Sequence, residues 1–558
     1  MQNPEVAGNG RHLEGRVAAL ATYELLFFGL LVVAFAAFVL VVMQARAYIS
    51  FLETDYITFT IPDASRVLSG EPMKSLYHPP AYALAIAGGK VLFGDWLAAG
   101  LAVSSVCAVV SLVVSFALFR NLAGKVAGWG AALALLGSVF IGESLRAGND
   151  MLFLCLFLVS CWLAVLALER RSAARWLLCG LVVGLSLLTR SNALPLLLLI
   201  AAPFLDAGLP AGRKLKASLL VIGGIAVPLV AIAIFAAFTG SRILPENNLL
   251  NLGMAYFADG ADRSSFDAAL VLAQQYENLP ALFLADPARI VRIYVTDFYK
   301  LLQVGLPQLV EPPMIFLIFP GIFILFAKRF HRPLMLIGLV VLAEVLLINF
   351  KEFDARFYLF LIPVLGASIA LSIQWIVLGN FPRPARVVFA AAAALLVAGA
   401  VGVSSLSGAV HTIKNDRRVA AMIDRFGVAV GPSSAVFARK PHLPFYTDSQ
   451  WVYLPNSESL EQLKMDLTEP TGDVFEGLSS VMRTRSTKEN DFVFFGAEER
   501  KYRPQLEALI RPEQAPAWLD VVITGDRPEE GTLYRLKTTQ GGSTGTDSDA
   551  DADRGPAD

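Results

Sequence analysis

The sequence predicts a polytopic α-helical membrane protein with a C-terminal extracytoplasmic α/β domain, and three observations carry that reading. Apolar residues make up 55% of the chain and charged ones only 17%, against roughly 45–50% and about 25% in soluble domains. The apolar residues gather in runs such as YELLFFGLLVVAFAAFVLVVM (23–43), long enough to cross a hydrocarbon core of about 30 Å. After residue 410 these runs give way to short, strand-like ones.

In chain order, eleven spans fit the hydropathy, at about 20–43, 96–119, 126–142, 151–168, 176–189, 193–205, 217–238, 313–327, 333–349, 357–378 and 386–407. The first is read as a retained span and not a cleaved signal, because it far exceeds the roughly 7–15 apolar residues of a signal peptide. PPAYALAIAGGKVLFG (79–94) is too short to cross and is expected at the interface or leading into the second span. Basic residues mark alternate connections: Arg11 and Arg16, then Arg120/Lys125, Arg170/Arg171/Arg175, Arg213/Lys214/Lys216, Lys328/Arg329/Arg332 and Arg383/Arg386. The positive-inside rule makes these connections, and the N-terminus 1–19, cytoplasmic. Segments 46–95, 143–150 and 239–312 then face outward.

The soluble region 411–538 also falls outside. It alternates strand-like runs (SSAVFAR, WVYLP, DFVFFG, LDVVITG, TLYRLK) with helical stretches around 457–467 and 504–510, the pattern of a small α/β domain. The acidic tail 539–558 reads as disordered. A net charge of −1 supplies no basic face for nucleic acid. The four cysteines, Cys107, Cys155, Cys161 and Cys179, all lie in apolar runs. They form neither a disulfide framework nor a metal-ligand spacing, and their expected role is buried packing.

Candidate chemistry sits in the outer segments. LETDYITFTIPDASRVLSGEPMKSLYHPPAYAL (52–84) brings Glu53, Asp55, Asp63, Arg66, Lys74, Tyr77 and His78; GESLRAGNDMLFL (142–154) brings Glu143, Arg146 and Asp150. Acids at membrane depth are costly and usually serve a purpose. Beside lipid the charged form of a carboxylate is disfavoured, which suits a base that takes the proton of an attacking hydroxyl. The plainer alternatives are a solvated loop acid for Asp55, a helix N-terminal cap for Asn149 or Asp150, and interfacial packing for His78. Arg190, in LTRSNALP, is expected to snorkel to headgroups. Glu344, in VVLAEVLL, is either functional or paired to a neighbouring helix. Gly180 and Gly184 form a small-xxx-small packing pair.

The succession of TDY, ASRVLSGEP and LYHPPAYAL, then GNDMLFLCLFLVS and LLCGLVVGLSLLTRSNALPLLLL, resembles the membrane glycosyltransferases of the GT-C class. Within it, the likeness is to the group holding protein O-mannosyltransferases and the lipid A aminoarabinose transferase. It covers roughly residues 15–240, and RFYLFLIPVLGASIAL (356–371) more loosely. The resemblance implies a GT-C-like transmembrane domain over 20–410 that moves a sugar from a polyprenyl-phosphate donor to an extracytoplasmic acceptor hydroxyl, with inversion. It places the catalytic carboxylate on Asp55, with Glu53 as its substitute, and a second acid on Asp150. The family often has a Lys before the PP pair; here His78 stands there, so the phosphate contact passes to Lys74 or a loop arginine. Tyr77 and His78 are then substrate-binding candidates, with Arg242, Arg263, Arg289 and Arg292 as cations and Tyr256, Phe257 and Tyr276 as sugar-stacking rings.

The expected partners are the lipid-linked sugar, membrane lipid, and a glycan, lipid or protein acceptor. No cofactor is assigned, and a divalent cation is left open. By analogy the membrane is a bacterial inner one. The competing readings are a transporter or flippase, and a polysaccharide ligase that shares the donor. Hydropathy without duplicated halves and charges gathered in loops both count against a transporter.

Overall fold

The computed structural model describes residues 4–44, 55–74, 79–241, 276, 279–327, 332–349, 354–380, 382–438, 440–453, 490–496, 509, 511–525 and 531–537. The chain divides into two compact units, Met1–Ala421 and Met422–Asp558.

The first unit is helical. Its elements are α1 (Pro4–Gln44), a π-turn (Tyr56–Thr60), α2 (Ile61–Ser69), α3 (Ala81–Phe93), α4 (Trp96–Ala123), α5 (Lys125–Ala134), α6 (Ser138–Ser144), α7 (Asp150–Arg170) and α8 (Ala173–Leu187). A 3-10 helix (Ser191–Leu205) leads to α9 (Ala211–Thr239), α10 (Leu279–Ala285), α11 (Pro287–Lys300), α12 (Leu306–Leu309) and α13 (Ile318–Ala327). After these come α14 (Arg332–Ile348), a 3-10 turn (Ala355–Tyr358), α15 (Leu361–Asn380) and α16 (Arg383–Phe426). The division expected near residue 411 falls inside α16, which runs unbroken to Phe426.

The count of eleven spans is corrected. Among the described residues, six helices are long and apolar enough to cross a membrane, or up to eight if each of two bent pairs counts as one. Apolar composition sets what a segment tolerates around it, whereas backbone geometry sets how far it reaches. Helix α8 has 15 residues, about 22 Å at ~1.5 Å per residue, short of the core thickness. The expected span 126–142 breaks between α5 and α6 with a bend of 64°. The expected span 313–327 is the second arm of a pair bent by 106°. Pro195 and Pro203 sit inside Ser191–Leu205, where each removes a donor needed by an α-helical ladder. The segment at 79–94 is a 13-residue helix, α3, too short to cross as the sequence implied.

Close helix contacts order the bundle. A Cβ on Gly180 would lie 2.0 Å from the Val221 carbonyl oxygen, and one on Gly184 would lie 2.5 Å from Pro228 Cγ and 2.7 Å from the Ile225 carbonyl oxygen. The small-residue pair is therefore a packing seam. The same register makes α8 and α9 parallel, because the 3-10 helix carries the chain back between them. Polar ends of several elements consequently meet at two opposite ends of the bundle.

The second unit holds a five-stranded mixed sheet in the order β2-β1-β3-β5-β4. Its strands are β1 (Ser434–Ala438), β2 (Gln450–Tyr453), β3 (Asn490–Phe495), β4 (Leu519–Thr524) and β5 (Thr532–Leu536). The β1–β2 and β1–β3 pairs are parallel, and the β3–β5 and β4–β5 pairs antiparallel. All five strand-like runs are strands. The helices expected at 457–467 and 504–510 fall outside the described residues, Leu509 aside.

Candidate active site

The first outer segment is largely helical, not an open loop. Asp55, half-buried, heads the five-residue π-turn Tyr56–Thr60, a conformation that occurs mostly as single-turn bulges in helices, frequently at functional sites. Tyr56 is buried and its hydroxyl donates to the Trp96 carbonyl oxygen at 2.6 Å. Burial, with the nearby Asp95 carboxylate, pushes this phenol above its ordinary value, so it remains a proton donor.

Gly100 lets the outer segments converge. A Cβ there would stand 2.6 Å from Tyr56 Oη and 2.7 Å from Ala147 Cβ. The residue after Asp55 and the connection leading to Asp150 therefore press on one point of α4. Further along, Asp63 is buried and accepts from the Lys74 backbone N–H at 2.9 Å. The Met73 N–H donates to Ser241 Oγ at 2.9 Å and the Ala81 N–H to the Leu188 carbonyl at 2.8 Å. This pins Met73 and Ala81 to the C-terminal ends of α9 and α8, with the Lys74 side chain exposed.

Asp150 opens α7 and its side chain is 2% exposed. It does not act as a capping group: α7 has Asn149 at its N-cap position, which makes no side-chain cap hydrogen bond. Instead, the Asp150 carboxylate meets two guanidiniums. Oδ1 is ion-paired with Arg190 Nη1, and Oδ2 lies 3.9 Å from Arg356 Nη1. Arg356 also pairs with Asp354 at 2.9 Å. Both arginines lie over the Phe357 ring, each 5.1 Å from its centroid, a favourable arrangement of cation on π-face. Arg190 thus turns inward to a buried acid, correcting the expectation that it snorkels. Burying Asp150 without such partners costs several kcal/mol, and this overrides the pull of headgroups on a long side chain.

Other polar groups of this unit are partnered as well. Two residues after Arg190, Asn192 Nδ2 donates to the fully buried Glu344 at 2.8 Å, so Glu344 has its partner on another element. Asn349 Nδ2 donates to the Tyr294 carbonyl at 2.6 Å, and Lys300 pairs with the buried Asp297 at 2.8 Å. Glu143 and Arg146 pair at 3.2 Å.

A cavity of about 420 Å³ lies close by, walled by α5, α15 and α16 along Val126, Gly130, Ile369, Ile373 and Val401, with Gln308 and Glu311 at its polar edge. Leu306–Leu309 packs against Ala355–Tyr358, the turn that carries Arg356.

Asp55, Lys74 and Asp150 therefore come to the same end of the bundle. Glu53, Tyr77, His78, Arg242 and Arg263 lie outside the described residues, as do Tyr256 and Phe257. Arg289 and Arg292 are on α11. Among the described residues, no three His, Cys, Asp or Glu side chains gather in a way that holds a metal. Arg356 was missed as a site residue, although the charge in DARFYLFLIP, inside an apolar run, was its signal.

A family model described as dolichyl-phosphate-mannose-protein mannosyltransferase matches residues 77–238, less than a third of the chain. No curated protein sequence gives a significant match. Among solved structures, the chain resembles ArnT from Cupriavidus metallidurans bound to undecaprenyl phosphate, with a TM-score of 0.52 and 13% identity, over 91% of this chain and 98% of that one. It also resembles the oligosaccharyltransferase of Archaeoglobus fulgidus in its apo form, with a TM-score of 0.53 and 12% identity, over 86% of this chain and 72% of that one. The same archaeal enzyme tethered to an acceptor peptide aligns at a TM-score of 0.52 and 11% identity, with the same coverage. The chain shares the fold of these structures. At these identities the likeness concerns architecture alone.

Proposed function

We propose that this protein is a membrane glycosyltransferase that moves a sugar from a polyprenyl-phosphate donor to a hydroxyl on the extracytoplasmic side. One juxtaposition supports this reading most: a half-buried carboxylate, Asp55, shares an end of the bundle with the Asp150–Arg190–Arg356 cluster, beside an apolar cavity. The GT-C fold and the mannosyltransferase match over 77–238 agree with it.

In this mechanism the acceptor oxygen attacks the anomeric carbon as the bond from that carbon to the phosphate oxygen breaks. Asp55 takes the acceptor proton. Charge builds on the departing lipid phosphate, which is a competent leaving group and needs no proton. Arg356, 21% exposed and at the cluster's edge, meets that charge, with Lys74 as the second cation. Asp150 and Arg190 position Arg356: a guanidinium held in advance costs no reorganisation when the charge develops. Attack opposite the departing phosphate inverts the anomeric centre. The cavity takes the isoprenoid tail, so the sugar is presented at the membrane edge. The outward side is the one away from the basic connections, which puts the N-terminus in the cytoplasm.

The test is direct. Purified protein in nanodiscs is given a polyprenyl-phosphate sugar and an envelope extract as acceptor, and released polyprenyl phosphate is measured. Release that depends on Asp55 is the expected result; no release by the wild type with any lipid-linked sugar sinks the reading.

A further inference from the structure

The end of the bundle opposite Asp150 carries a charge excess that glycosyl transfer does not use. Helix α7, 21 residues long, has Asp150 at one end and Arg170 at the other, about 30 Å apart at ~1.5 Å per residue. Arg170, Arg171, Arg175, Arg213, Lys214, Lys216 and Arg332 collect there with the acids Glu169 and Asp206. Asp206 is taken by Arg171, at 2.8 and 3.0 Å. Arg332 donates to the Leu205 carbonyl at 2.8 Å and Lys214 to the Phe204 carbonyl at 3.5 Å, which gathers the ends of α7, α8, α9, α14 and the 3-10 helix into one rim. Cations remain in excess. Arg213 and Lys216 are exposed, and Arg175 Nη1 is buried with no hydrogen-bond partner among the described residues.

The surface next to this rim is apolar and open. Leu177 and Leu178 on α8, and Leu215, Leu219 and Ile222 on α9, are 41–56% exposed. Water does not favour such a belt, whereas lipid chains do. The cations thus stand at the height where hydrocarbon meets headgroup. An exposed apolar belt capped by unpaired cations fits an amphiphile with an anionic head, and it does not fit a freely diffusing anion.

We propose that Arg175, Arg213 and Lys216 bind the phosphate of an anionic phospholipid whose acyl chains lie along α8 and α9. This site is separate from the candidate active site and stands whether or not the protein transfers sugars.

The full chain is purified in mild detergent, and its co-purifying lipids are measured by native mass spectrometry. Its affinity is then measured in nanodiscs containing phosphatidylglycerol or phosphatidylcholine alone. Each cation near an anionic surface is worth about fivefold in affinity, so R175Q/R213Q/K216Q is expected to lose about a hundredfold for phosphatidylglycerol. The exposed pair on α16, R417Q/R418Q, removes similar charge elsewhere and keeps it. If the triple variant does not fold, R213Q and K216Q are measured singly, each with about a fivefold loss. Equal retention by the rim variants, equal binding of phosphatidylcholine, or competition by millimolar inorganic phosphate overturns the proposal.

Discussion

The two ends of the helical bundle handle charge in opposite ways. At the Asp150 end two buried acids are answered from other elements: Asp150 by Arg190 and Arg356, Glu344 by Asn192. At the Arg170 end cations outnumber acids and several are open to the surroundings. Where water is excluded, a lone charge is too costly to keep, so charges are held in fixed geometry by partners. At an interface, water and headgroups provide the compensation, and the protein leaves its cations free. Fixed geometry is what catalysis requires. A loose excess is suited to attraction.

Changes at the two ends should therefore differ in size and kind. The largest effect is expected for Asp55→Asn, which should lower transfer by a hundred- to ten-thousand-fold while folded yield stays near wild type; full activity would remove Asp55 from the mechanism. Next is Arg190→Ala, which leaves Asp150 buried without its nearest cation and should cost about 3–5 kcal/mol of stability. Asp150→Asn combined with Arg190→Gln should restore much of the melting temperature but not the activity. An Arg190→Ala variant that melts like wild type would mean that the pair carries no energy.

Between the ends, Gly180→Ala should cost about 1–3 kcal/mol by overpacking α8 against α9, read as a lower melting temperature. In the sheet, Asp491 offers a buried carboxylate for contrast. Burial raises its pKa from 3.8 to about 6. The folded state then binds the proton more tightly than the unfolded one, so stability is greatest below about pH 4 and falls as pH rises to 6. Melting curves across this range should show that slope in wild type and lose it in Asp491→Asn. The smallest effect belongs to the rim, where Arg213→Gln should change stability by less than about 0.5 kcal/mol. A larger loss there would mean that the rim is structural.

Local pattern announced the sheet well: each of the five strand-like runs is a strand, since β-branched and aromatic residues between turns need little else to declare themselves. Asp55 and Asp150 were legible for a similar reason, each being an acid at the edge of an apolar run. Arg190 was misread because its partner is 40 residues away, and Glu344 had no visible partner because Asn192 is 152 residues away. Arg356 joins them only after α12 and the 3-10 turn have come together.

The sequence by itself determined that this chain enters a membrane, where its strands form, and which acids stand at a membrane edge. Those properties follow from the free energy of each segment against water or lipid, which is summed locally. Only the tertiary structure decided how many helices reach across, which charges are answered and which end is left basic. These depend on backbone winding and on contacts between distant segments, where the burial of one group fixes the partner that another must supply.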